Sequence, residues 1–321
     1  MQRKILITGS TGFVGYHLIE YLLSKKKDCE IYGTYLDESS LNSFIGYKDK
    51  VNFLKGDLTD NNIVKDIVSR IKPDTVYHLA AFAATSKSFN LPIEVIMNNV
   101  SVQVSLLEAV RKSKLFDTKI LVVSSGDIYG KVLEKDLPVN EDTKLNPANP
   151  YSVSKITQDY LGLQYFITYG LKIIRARPFN HIGPGQSPNF VVSAFSKKIA
   201  EIEKGKRDPV LPVGNLNSRR DFTNVKDIVR AYDLLIDKGQ EGEVYNIGSG
   251  KSYKIGDILD MLLSFSKEKI KVEIDEKLLR PVDEHNLYCD YSKLNKLTGW
   301  EPTISIEDTL RQTLDYWRNI I

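Results

Sequence analysis

Lys4-Ile5-Leu6-Ile7-Thr8-Gly9-Ser10-Thr11-Gly12-Phe13-Val14-Gly15-Tyr16 decides how this chain folds: an apolar run, three evenly spaced glycines, then an amphipathic stretch reaching Leu23. The order reads strand, loop, helix. Gly9 permits a tight turn, Gly12 lets backbone amides approach a pyrophosphate, and Gly15 allows close packing of the helix, whose N-terminus favours an anion. Gly-x-x-Gly-x-x-Gly is a variant of the dinucleotide fingerprint. Gly9, Thr11, Gly12, Phe13, Val14 and Gly15 are therefore the candidate contacts to NADP or NAD.

Outward from this stretch, β-branched runs at 4–8, 30–35, 51–54, 75–79 and 120–124 alternate with helical periodicity, and a sixth run covers 172–176. Parallel neighbours need long connections, so the rhythm predicts an α/β fold: a doubly wound parallel sheet with helices on both faces. After Pro178 the pattern breaks at Gly183-Pro184-Gly185, Pro209, Pro212 and Gly214, where a smaller C-terminal lobe begins. A helix over 221–235 and a strand over 244–247 suit the sheet again. The expected division is 1–178 plus 221–250 for the dinucleotide-binding domain and 179–220 plus 251–321 for the substrate lobe.

The 321 residues carry 44 Lys and Arg against 41 Asp and Glu, a net +3, and Lys25-Lys26-Lys27 merely follows a helix end. Nucleic-acid binding is not indicated. Cys29 and Cys289 form no paired motif, no apolar stretch reaches spanning length, and no signal-type leader opens the chain, so the expectation is a cytoplasmic protein away from membranes. His17, His78, His181 and His285 lack short metal-ligand spacing, and no Gly-x-Ser-x-Gly elbow is present. No metal is expected.

Two further pieces carry chemistry: Ser124-Ser125-Gly126-Asp127 at a strand end, and Tyr151-Ser152-Val153-Ser154-Lys155 after Pro150. A phenol with a pKa of about 10 is a poor acid near neutrality, and a lysine ammonium close by lowers that value. Positions four apart share a helix face. Tyr151 and Lys155 thus read as a proton-exchanging pair, with Ser125 holding a substrate oxygen or, in the plainer reading, capping a turn. Tyr21 and Lys25 repeat the spacing and serve as an internal control, because they lie late in the first helix, away from the carboxyl ends of the strands. Asp37, after the second strand, either meets a ribose, which favours NAD, or caps a helix before Ser39.

With Gly56-Asp57-Leu58, His78-Leu79-Ala80-Ala81, Asn99, Arg177-Pro178-Phe179-Asn180, Arg220-Asp221-Phe222 and Asn246-Ile247-Gly248 added in order, nearly the whole chain resembles the extended short-chain dehydrogenase/reductase family. The resemblance implies an NAD(P)-dependent oxidoreductase acting on nucleotide-linked sugars, a GDP-sugar above all, and a homodimer built from the helix after Pro92 and the helix carrying Tyr151. It adds Asp57, Leu58, Leu79, Ala80, Ala81 and Asn99 to the cofactor contacts, beside Tyr151 and Lys155. Asn180, Arg220 and Arg280 become candidates for the substrate diphosphate, which a guanidinium fork matches. Sibling dehydratases carry Thr-Asp-Glu where this chain has Ser125-Gly126-Asp127, and glycine has no proton to give. The expected reaction is reduction of the C4 ketone of GDP-4-keto-6-deoxy-D-mannose by NAD(P)H. A sugar-nucleotide 4-epimerase that retains its NAD, and a non-catalytic dinucleotide sensor, are the alternatives.

Overall fold

The computed structural model describes residues 2–25, 28–47, 49–83, 85–279 and 286–321. In the first half, strands β1 (Arg3–Thr8), β2 (Cys29–Tyr35), β3 (Val51–Lys55), β4 (Thr75–His78), β5 (Lys119–Val123) and β6 (Lys172–Pro178) alternate with helices α1 (Phe13–Lys25), α2 (Asn61–Ile71), α3 (Thr85–Ser88), α4 (Pro92–Lys112) and α5 (Pro150–Tyr169). The second half holds β7 (Asn180–Ile182), α6 (Val191–Glu203), β8 (Val210–Val213), β9 (Arg219–Arg220), β10 (Phe222–Asn224), α7 (Val225–Lys238), β11 (Val244–Ile247), β12 (Tyr253–Lys254), α8 (Ile255–Ser264), β13 (Lys271–Ile274), α9 (Ser292–Thr298) and α10 (Ile306–Ile320).

Seven strands form one parallel sheet in the order β11-β6-β5-β4-β1-β2-β3. The predicted doubly wound α/β fold is the fold observed. Strand order reverses between β1 and β4, so their following loops part to opposite faces and leave a crevice at the carboxyl ends. Alternation along β1 builds both faces at once: Ile5 and Ile7 pack with Leu18, Leu121 and Ile228 under α1 and α7, while Leu6 packs with Val76, Leu106 and Ile173 under α2, α4 and α5. A separate apolar cluster joins Val192, Phe195, Leu211, Leu259 and Leu314 from α6, β8, α8 and α10.

Strand ends shift by one or two residues from the sequence reading, and two helix starts shift further, each for a local reason. Helix α1 starts at Phe13 because the Gly12 carbonyl already accepts from Tyr16 N at 2.9 Å. The helix expected from 221 starts instead at Val225, where the Asn224 side chain accepts from Lys226 N at 2.9 Å, and Phe222–Asn224 pair with β7. Buried Phe222 is drawn into the smaller apolar cluster, which outweighs its helical neighbours. Helix α4 is long and apolar enough to cross a membrane by composition, yet half of its most apolar stretch is buried in the molecule.

Candidate active site

A cavity of about 700 Å³ runs along the carboxyl ends of the strands and into the smaller apolar cluster. Its first wall is the β1–α1 loop. Ser10 N and Ser10 Oγ both donate to Thr34 O at 3.0 Å, tying that loop to β2. Gly9 sits at φ 66°, with the Ala80 backbone 2.9 Å from where a Cβ would stand, and a Cβ at Gly15 would strike the Ser10 carbonyl. Only glycine fits either place. Gly9, Gly12, Phe13, Val14 and Gly15 all line the cavity, and the three glycines leave backbone uncovered by side chains at the start of α1. Such a cradle suits a pyrophosphate.

The second wall is the loop after β4, hung from two buried groups. Thr8 Oγ1 lies 2.8 Å from His78 Nδ1 and accepts from Ala80 N at 3.2 Å. Asn99 Oδ1 accepts from Phe82 N at 2.6 Å, while Asn99 Nδ2 donates to Phe82 O and to Ser154 Oγ. Leu79, Ala80 and Ala81 line the cavity. Asn99, fully buried, binds that loop to α5 instead of lining it. Thr11, Asp57 and Leu58 also stand outside the lining: Thr11 Oγ1 accepts from Ser40, Asp57 caps Thr59, and Leu58 packs in the core. The Asp37 carboxylate accepts from Ser39 N at 3.0 Å, the capping arrangement.

Helix α5 begins where a cap and a proline both favour it, Asn149 accepting from Ser152 N at 2.8 Å with Pro150 next. That start puts Tyr151 in the first turn and Lys155 one turn later, both buried and both in the cavity wall beside Ser125. Ser125 also accepts from Asp127 N at 3.2 Å, so it caps a short turn and lines the site together. The Lys155 amine lies 5.9 Å from the centre of the Tyr151 ring. It donates to Val123 O at 2.9 Å and Gln158 Oε1 at 2.8 Å.

The electrostatics differ from the sequence expectation. Burial, reinforced by the Asp127 charge and opposed by Ser125, raises the Tyr151 phenol above its usual value, and Lys155 does not offset this. Burial alone takes Lys155 down to about 7. In this arrangement the phenol is held protonated and the amine is the group poised near neutrality.

Beneath the pair, Asp159 of α5 is wholly buried between two arginines of β6. Arg175 Nη1 donates to it at 2.6 Å and Arg177 Nε at 2.8 Å. Arg177 Nη1 also donates to the Tyr129 hydroxyl, which donates to Asn246 Oδ1 at 2.7 Å. The segment after Ser125 is therefore bolted to both β6 and β11.

Asn180 and Arg220 line the far end with His181, Lys198 and Leu278. Arg280 lies outside the described residues. Against the lining cations Lys155, Lys198 and Arg220, the lining holds one carboxylate among the described residues, Asp127. A positive cavity fits phosphate-bearing ligands. At Gly126 a Cβ would lie 2.9 Å from the Phe179 ring, so that position is closed to larger side chains. Sequence reasoning missed Lys198, Asp159 and Gln158. For Asp159 a signal existed, since 151, 155 and 159 form one helical stripe.

The family model for GDP-mannose 4,6 dehydratase matches residues 6–313. The chain belongs to that family, within the extended short-chain dehydrogenase/reductases, whose members are nicotinamide-dependent sugar-nucleotide dehydratases, reductases and epimerases. It is 32% identical to a GDP-6-deoxy-D-mannose reductase of Pseudomonas aeruginosa, over 99% of this chain and 98% of that protein. The structure of RMD from Pseudomonas aeruginosa complexed with NADPH matches with a TM-score of 0.86 and 31% identity, covering 99% of this chain and all of that one. A UDP-glucose 4-epimerase of Thermus thermophilus in complex with NAD matches with a TM-score of 0.86 at 26% identity, over 99% of this chain and all of that one.

Proposed function

We propose that this protein reduces the C4 ketone of GDP-4-keto-6-deoxy-D-mannose with NAD(P)H, giving GDP-6-deoxy-D-mannose. The observation that carries the reading is Ser125, a protonated Tyr151 and a buried Lys155 gathered in one wall of a cationic cavity, with Gly126 and Phe179 leaving no acid at the neighbouring position. Gly9, Gly12 and Gly15 would hold the pyrophosphate of NADPH or NADH, whose reduced nicotinamide would supply the hydride for the carbonyl carbon. Ser125 Oγ donates to the ketone oxygen and steadies the charge that grows there. Tyr151 gives its proton to that oxygen, and Lys155 returns one to the phenolate. Arg220, Asn180 and Arg280 take the substrate diphosphate, Arg220 and Asn180 from the cavity wall. With no carboxylic acid at position 126, elimination of water lacks a donor, which favours reduction over dehydration.

The sequence division at 178, 220 and 250 gives the cofactor domain and substrate lobe of this reading. Exposed Ile93 and Met97 on α4 and Val153, Tyr160 and Ile167 on α5 support pairing of two copies through those helices. Neither Cys29 nor Cys289 is in a disulfide, in keeping with a cytoplasmic setting.

The test is to mix protein, reduced cofactor and GDP-4-keto-6-deoxy-D-mannose, follow loss of reduced-cofactor absorbance, and identify the sugar by NMR. One cofactor oxidised per sugar reduced is the expected outcome. Protein that purifies with tightly held NAD and interconverts C4 epimers without net oxidation would replace the reading with an epimerase.

A further inference from the structure

One buried amide beside the site has no part in the reaction just described. Gln158 lies in the third turn of α5, 1% exposed, three residues after Lys155. Its Nε2 donates to Asn99 O at 2.8 Å, which leaves Oε1 as the end facing Lys155, and that oxygen accepts from Lys155 Nζ at 2.8 Å. The backbone carbonyl of Gln158 accepts from Gln103 Nε2 at 2.6 Å, fixing the helix at that point to α4. Every bond that orients this amide is made to buried protein.

We infer that Gln158 is a positioning residue for Lys155, which with Val123 O consumes two of its N–H bonds and leaves its remaining valence directed into the cavity. The geometry has a chemical consequence. A neutral amine has two N–H donors and one lone pair, and both donors are committed to Val123 O and Gln158 Oε1. The lone pair is then left for the cavity side, where Lys155 forms part of the wall near Tyr151. Protonation adds a third N–H along that same direction. Lys155 thus changes from acceptor to donor without moving, which suits a group that must take up a proton and pass it to a phenolate. This use of Lys155 rests on the reductase reading; the positioning itself does not.

The amide oxygen also bears on charge. An acceptor fixed 2.8 Å away stabilises the ammonium, while burial opposes it. Of the titratable groups around Lys155, Tyr151 lies beside it on its own helix and His78 at the end of β4 feels its charge, while Asp127 after β5 and Tyr232 of α7 act on Tyr151. His78 is pushed down to about 3 by burial and by Lys155, so it stays neutral across the range in which Lys155 titrates.

The experiment reads Lys155 directly in protein without cofactor or substrate. Protein carrying lysine labelled with carbon-13 at Cε is titrated by NMR, the resonance being assigned by its loss in Lys155→Met. Gln158→Met keeps the length and removes the acceptor, and is expected to move the midpoint down by about one pH unit. Gln158→Glu puts an anion at the same place and is expected to move it up by as much or more. Opposite shifts from two similar-sized replacements are not the result of loosened packing, and either variant suffices should the other fail to fold. If both midpoints match the wild type in folded protein, the inference is overturned. Absence of turnover with a keto sugar nucleotide would instead count against the reductase reading and leave these midpoints where they are.

Discussion

Tyr151 with Lys155 and Tyr21 with Lys25 are the same four-residue spacing on two helices of one chain, and they have different fates. Tyr21 is half-buried near the end of α1, packed beside the core of the sheet, and Lys25 lies exposed in the last turn. Tyr151 stands in the first turn of α5 at the carboxyl edge, with Lys155 desolvated and anchored to Val123 and Gln158. The difference teaches that the spacing only places two side chains on one face. Desolvation and a place in the cavity at the strand ends set Tyr151 and Lys155 apart, and on the proposed function they make these two the reacting pair.

The sharpest way to break the comparison is Tyr151→Phe, expected to lower turnover about 1,000-fold with cofactor affinity unchanged, as steady-state kinetics and fluorescence titration would reveal. Turnover near wild type would remove Tyr151 as the proton donor. Ser125→Ala follows, with a loss of about 100-fold concentrated in the chemical step, checked by single-turnover rates.

Support beneath the active pair is the next contrast. Asp159→Ala strands two buried guanidinium groups and is expected to cost about 3–5 kcal/mol in urea melts. Asp237→Ala, which frees Arg3 from a half-exposed pair, should cost under about 1 kcal/mol by the same measurement.

Lys155 carries a further consequence for stability. Lys155 is held at about 7, below its ordinary 10.5, so between those values the unfolded chain binds more protons at this residue than the folded one. Its contribution to stability therefore rises as pH increases from about 7 towards 10.5, and charging the buried amine costs stability below about 7. Urea melts from pH 6 to about 9 should show a slope that Lys155→Met removes and Lys25→Met retains. The smallest effect is reserved for Tyr21→Phe, where turnover within about twofold of wild type is expected; a large loss would mean that the control pair matters after all.

Much of this molecule was readable from local pattern. The glycines at 9, 12 and 15, the alternating runs of β1 to β6 and the Asn149-Pro150 start of α5 each depend on neighbours a few residues away, which is why their places were predicted within a few positions. The helix expected from 221 failed because Phe222 answers to a cluster built from residues far along the chain. Thr11, Asp57, Leu58 and Asn99, named with the cofactor contacts, do not line the cavity described above, and Asn99 joins the loop after β4 to α5, a link between distant segments that no local motif displays.

By itself the sequence determined the doubly wound sheet, the loop able to cradle a pyrophosphate and the residue types able to move a proton, because these follow from periodicity and short-range spacing. The tertiary structure alone decided which tyrosine loses its water, that its phenol is raised and not lowered, and that Gln158 and Val123 share the lysine. Solvation and hydrogen-bond partners are set by segments that meet only after folding, such as Asn246 and Tyr129, 117 residues apart. No local window of sequence holds that information.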